Sequence, residues 1–193
     1  MTGALSAYPF VLALLAAGLA ELSAILLRRV ASTAGSWLYW ISGFLSLVAA
    51  GSLIWSYTWA MSMGPTSPWG NALTQALGAL LLLAGGGLLL WSLATLGLQS
   101  LLALETSRII SHGPYRLLRR PMGVAIGLLG AGGALTSASP AMWIWFFGWL
   151  ILSQPLFELE EWELQARLVG ADEYLRRTPR YLPHRCYGTG SRR

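Results

Sequence analysis

"GVAIGLLGAGGALTSASPAMWIWFFGWLILSQP", residues 123–155, decides the fold. Two uncharged apolar arms flank a polar break at residues 136–140. The first arm is short and rich in glycine, the second rich in tryptophan and phenylalanine. This pattern predicts a helical hairpin in a membrane over residues 122–157, its first arm being the shorter.

Upstream, three further stretches approach the roughly 20 apolar residues that a spanning helix needs. They are residues 8–27, 37–60 and 72–98. The first has no basic residues before it and is long enough to span, so it reads as a retained helix rather than a cleaved leader. The second carries Trp37, Trp40, Trp55 and Trp59 near its ends, where interfacial aromatic residues belong. The third contains three consecutive glycines at residues 85–87, which predict close approach of a neighbouring helix. The expected fold is therefore an all-α integral membrane protein with about five transmembrane helices. Residues 1–98 supply three of them, and residues 99–193 form a core with the hairpin and a basic tail.

Composition agrees. Of 193 residues, 55% are hydrophobic and 11% charged, and the mean hydropathy is +0.55, values foreign to a soluble domain. All 13 basic residues are arginine, and the net charge is +5. Before Glu105 the only charges are Glu21, Arg28 and Arg29, so the basic character lies in the second half. Near membrane segments such a bias favours anionic headgroups over nucleic acid. The single cysteine, Cys186, excludes an internal disulfide and a cysteine zinc cluster; no metal site and no obligate protein partner are expected. By the positive-inside rule the N-terminus lies outside, while residues 99–121 and the C-terminal tail lie in the cytoplasm. A bacterial-type inner membrane suits this arrangement. Glu21, an acid within the first span, lies within two turns of Arg28.

Two charged clusters flank the hairpin. Ahead of it stands "SHGPYRLLRRPMG", residues 111–123, with Arg116, Arg119 and Arg120 between two prolines. Gly113 and Pro114 predict a helix start there, with Arg116 sharing a face with Arg119 and Arg120 and Pro121 breaking or kinking that helix. Free N–H groups beside guanidinium groups suit a carboxylate or a phosphate. Behind the hairpin come Glu158, Glu160, Glu161 and Glu163. On a helix, Glu160 and Glu161 point about 100° apart. Carboxylates suit ribose hydroxyls, and they could equally pair with the arginines and clamp the hairpin.

The order of these pieces, from Leu96 to His184, resembles the isoprenylcysteine carboxyl methyltransferase and phospholipid methyltransferase superfamily. Its members carry Gly-Pro-Tyr and an Arg-His-Pro-x-Tyr motif, a membrane hairpin, a glutamate pair, and a tail rich in tyrosine and arginine. The resemblance implies a cytoplasmic pocket for S-adenosylmethionine and methyl transfer to a lipophilic acceptor. That pocket would map onto Ser107, Arg108, Ile109, Ile110, His112, Gly113, Tyr115, Arg120, Pro121, Met122, Gly123, Glu160 and Glu161. Arg119, Arg120 and Glu161 would stand at its catalytic end.

Three departures matter. Arg120 replaces the family's histidine, Gly123 its tyrosine, and Leu156 stands near an arginine found in members that act on prenylcysteine. Arginine cannot accept a proton at cellular pH, so any base role of that histidine is absent. Two other functions fit the same pieces: a membrane reductase using a nicotinamide cofactor, and a non-catalytic protein of the same fold.

Overall fold

The computed structural model describes residues 8–34, 37–63, 71–101 and 112–167, with Ala171, Leu175, Thr178 and Pro179 beyond them. The described residues form five α-helices: α1 (Tyr8–Ala34), α2 (Trp37–Ser62), α3 (Ala72–Leu101), α4 (Pro121–Ser137) and α5 (Pro140–Arg167). A single 3-10 turn, Gly113–Arg116, stands before α4. Four helices, α1, α2, α3 and α5, are long and apolar enough to cross a membrane. At 17 residues, α4 reaches only about 25 Å, short of a hydrocarbon core of roughly 30 Å. It is the short first arm expected of the hairpin.

Local chemistry sets the helix ends. Asn71 caps α3 reciprocally: Thr74 N–H donates to Asn71 Oδ1 at 2.8 Å, and Asn71 N–H to Thr74 Oγ1 at 3.1 Å. Pro121 and Pro140 occupy first helical positions, where a missing N–H costs nothing. Between the arms Ala138 adopts a left-handed conformation (φ 49°, ψ 25°), and the carbonyl of the buried Ser139 accepts N–H bonds from Met142 at 3.1 Å and Trp143 at 3.4 Å in the first turn of α5. Helix α1 runs on past Arg28 and Arg29 to Ala34, because charged side chains at an interface end the apolar run and not the helix.

The helices pair as α1 with α2 and α3 with α4, and α5 joins the two pairs. Glycine lets α3 and α4 touch backbone to backbone. A Cβ at Gly85 would lie 2.9 Å from the Ala125 carbonyl, and one at Gly132 would lie 2.8 Å from the Gly78 carbonyl. Of the three consecutive glycines only Gly85 makes this contact, since Gly86 and Gly87 meet open space. On its other side α4 receives the large rings of α5. Trp149 rests on Gly127, and both Trp145 and Phe146 rest on Gly130. The first hairpin arm is rich in glycine because it is packed on two sides.

A core of Phe10, Leu14, Ala60, Ala134, Met142, Trp145 and Trp149 closes one end of the bundle. Trp145 is fully buried there, and its indole N–H donates to Ser56 Oγ at 2.8 Å. The Tyr57 ring meets it edge-on, centroids 5.2 Å apart. Leucine, isoleucine and tryptophan side chains cover the outer faces, with Leu83 75% and Ile151 72% exposed. In a lipid solvent those faces need no further cover. The charged residues gather at the opposite end.

Candidate active site

The arginine stretch is not one helix. Gly113, at φ +60°, packs so tightly on the last turns of α3 that a Cβ would lie 2.8 Å from Thr95 Oγ1. The turn closes when the Pro114 carbonyl accepts N–H bonds from Leu117 (3.1 Å) and Leu118 (3.0 Å). Then it stops. The helical region is disfavoured for a residue before proline, and Arg120 sits outside it at φ −132°, ψ 64°. Pro121 therefore begins α4 rather than kinking a helix begun at Gly113. Arg116, exposed on the turn, shares no helical face with Arg119 and Arg120.

That break aims Arg119 and Arg120 in different directions. Arg120 crosses to α5. Its Nη1 bonds Glu160, its Nη2 donates to the Phe157 carbonyl at 2.7 Å, and its guanidinium lies 4.6 Å above the Phe157 ring. Its Nε stands 3.6 Å from Glu161 Oε1. Arg119 reaches the segment after α5: its Nε donates to the Thr178 carbonyl and its Nη2 to the Leu175 carbonyl. Its backbone N–H adds a bond to the Pro179 carbonyl at 2.9 Å, and its Nη1 lies 3.5 Å from Glu161 Oε2. Glu161 is thus shared by both arginines.

The four charges balance, which makes their burial tolerable. They are not equally buried. Side-chain exposure is 10% for Arg120, 13% for Glu161 and 22% for Arg119, against 36% for Glu160. The clamp that the sequence left open beside a ribose-binding role is present. Helix α5 brings the acids there by its own periodicity: Met142, Trp145, Trp149, Ser153 and Glu163 are buried along its inner side. Pro155 lacks the N–H that would bond Ile151 one turn before the acidic run.

Other expected site residues take varied places. Pro121 is buried, Gly113, Tyr115, Met122 and Gly123 are half-buried, and His112 is exposed. Ser107, Arg108, Ile109 and Ile110 lie outside the described residues. Gly123, at the family's tyrosine position, faces the Phe157 ring, which would stand 2.7 Å from a Cβ. The sequence reading missed Phe157, whose ring and carbonyl both hold Arg120. It also missed the tail carbonyls held by Arg119, because a backbone acceptor leaves no mark in residue type. Glu163, only 3% exposed, is the most buried of the acids. The α1 charges lie near this end too: Arg28 Nη2 bonds Glu21 Oε1 at 2.9 Å, and the Arg29 guanidinium lies 3.5 Å from the Trp162 ring centroid. Glu21 is therefore salt-bridged within the membrane segment, which accounts for an acid at that depth.

Residues 73–168, from the first turn of α3 to the end of α5, match the phospholipid methyltransferase family. No curated protein and no solved structure is detectably similar. The matched region contains both hairpin arms, both arginines and both glutamates of the clamp. It supports a membrane methyltransferase, a class whose acceptors are lipids. Over those residues the chain carries a phospholipid methyltransferase domain, consistent with the isoprenylcysteine/phospholipid methyltransferase superfamily.

Proposed function

We propose that the protein transfers a methyl group from S-adenosylmethionine to a lipophilic acceptor at the cytoplasmic face of a bacterial-type inner membrane. One observation carries the reading: within the phospholipid methyltransferase region, the arginines before the hairpin meet the glutamates after it at one end of the bundle. The donor set fits the cofactor. Carboxylates accept from ribose hydroxyls and an ammonium group, and a guanidinium binds a carboxylate in two parallel hydrogen bonds. Glu161, Arg120 and residues 121–123 would hold the cofactor with Tyr115 and the turn at residues 112–115, joined by residues 107–110.

When bound, the cofactor supplies a methyl group already activated on sulfur. The chain's part is to align the acceptor with it and exclude water, and proximity of this kind is worth on the order of 7–11 kcal/mol. Arg120 keeps its proton at cellular pH, so it orients and neutralises but takes up no proton. The acceptor reaches the site from the bilayer between helices, and the cofactor from the aqueous side. Positive residues at the site's end of the bundle support the cytoplasmic orientation.

Calorimetric titration of the detergent-purified protein with S-adenosylhomocysteine tests this. Micromolar binding that is lost in Glu161→Ala is the expected result. A folded wild type that binds no S-adenosylhomocysteine overturns the reading, and binding of a nicotinamide cofactor in its place would favour a reductase.

A further inference from the structure

We infer that Arg120 is the receptor for an anionic group of the ligand, and that Glu160 is the resident anion which the ligand displaces. The inference rests on the methyltransferase reading for the identity of the ligand, but not for the chemistry of the receptor. Arg120 carries a permanent charge and is almost out of solvent, with 10% of its side chain exposed. Such a charge needs an anion, since removing the partner of a buried ion pair is strongly destabilising. Two carboxylates serve it, on unequal terms.

Glu161 is the permanent partner. It is 13% exposed and bridges Arg119 and Arg120, so replacing it would disturb two cations and the chain segments they join. Glu160 meets Arg120 at Nη1 and is 36% exposed, the most open of the four charges. Exchanging the Glu160 carboxylate for a carboxylate or phosphate of the ligand leaves the charge balance of the cluster unchanged. The guanidinium does not have to move. Its Nη2 stays on the Phe157 carbonyl at 2.7 Å and its plane stays over the Phe157 ring. Held in this way, the guanidinium presents Nη1 as a preorganised, charge-assisted donor to an oxyanion of the ligand.

This assigns opposite roles to adjacent glutamates. Glu161 contributes to ligand binding, whereas Glu160 competes with it. The shared chemistry is an oxyanion, with two sources: the amino-acid carboxylate of the cofactor, or the phosphate of a phospholipid acceptor.

The experiment compares wild type with Glu160→Gln, using three probes in detergent: S-adenosylhomocysteine, 5′-methylthioadenosine (which lacks the carboxylate), and short-chain phosphatidic acid. Removing the resident anion is expected to tighten binding of an anionic probe by about tenfold, the scale of one charge-assisted hydrogen bond. Tightening for S-adenosylhomocysteine with none for methylthioadenosine assigns the receptor to the cofactor's carboxylate. Tightening for phosphatidic acid assigns it to the acceptor's phosphate. Weaker or unchanged binding of both anionic probes overturns the inference.

The Arg120→Gln/Glu160→Gln variant keeps the cluster charge-balanced and guards against misfolding of the single variant. It should bind the anionic probes more weakly than wild type, and unchanged binding there also overturns the inference. If neither nucleoside binds wild type but phosphatidic acid binds and responds to Glu160→Gln, the cofactor assignment fails while the anion receptor stands.

Discussion

Arg119 ends up with its hydrogen-bonding capacity spent on the protein itself. Its guanidinium donates to two carbonyls beyond α5 and approaches Glu161 at 3.5 Å, while its backbone N–H holds a third carbonyl. Arg119→Ala should therefore lower stability in detergent by about 2–4 kcal/mol, since it strands buried acceptors and half-frees Glu161. Arg119→Lys should recover less than half of that loss, because a single ammonium cannot serve carbonyls in several directions. Thermal unfolding followed by circular dichroism reads both. Full recovery by lysine would mean that charge alone matters at this position. Residue type announced a cation here; the carbonyls its guanidinium bonds lie more than 50 positions away, and no local pattern encodes them.

The contacts between helices turn on which small residues face which neighbour. Gly85 and Gly132 sit in the α3–α4 contact, where a Cβ would come within 3 Å of the facing backbone, while Gly86 and Gly87 look into open space. Overfilling a packed contact forces backbone shifts costing roughly 1–3 kcal/mol, and more for a large side chain. Gly85→Leu should separate α3 from α4 and lower the melting temperature, and Gly86→Leu should leave it unchanged within error. Equal effects would mean that α3 is rotated from the arrangement described. The hairpin turn offers the opposite sign. Ala138 holds a left-handed conformation at φ 49°, and Ala138→Gly should stabilise by about 1 kcal/mol by relieving the Cβ clash. The three glycines in a row predicted close packing, and the prediction held for one of them. Composition shows that small residues are available; the rotation of the helix selects the one that is used.

For the molecule as a whole, the proposed orientation places both charged clusters and the tail on one side. The chain has one cysteine, Cys186, in that tail. A membrane-impermeant maleimide should therefore label inverted vesicles and not right-side-out spheroplasts. Labelling only in spheroplasts would reverse the topology and put the proposed cofactor site on the wrong side for a cytoplasmic metabolite.

Hydrophobic runs of spanning length, the polar break within residues 136–140 and the two charged clusters could all be read along the chain. Each is a property of one continuous stretch: in lipid a helix satisfies its own backbone, so length and apolarity suffice to define it. What lay beyond such reading was relational. The hairpin brings Arg120 to Glu160 across 40 positions, and the turn at residues 113–116 ends before Arg119, so Arg116 shares no helical face with Arg119 and Arg120. The different exposures of Glu160 and Glu161, on which their proposed roles depend, come from α5 packing against its neighbours. The sequence by itself determined a bundle of membrane helices with opposite charges on either side of a hairpin. Only the tertiary structure decided which charges meet, because pairing depends on helix rotation and on close approach between segments distant in the chain.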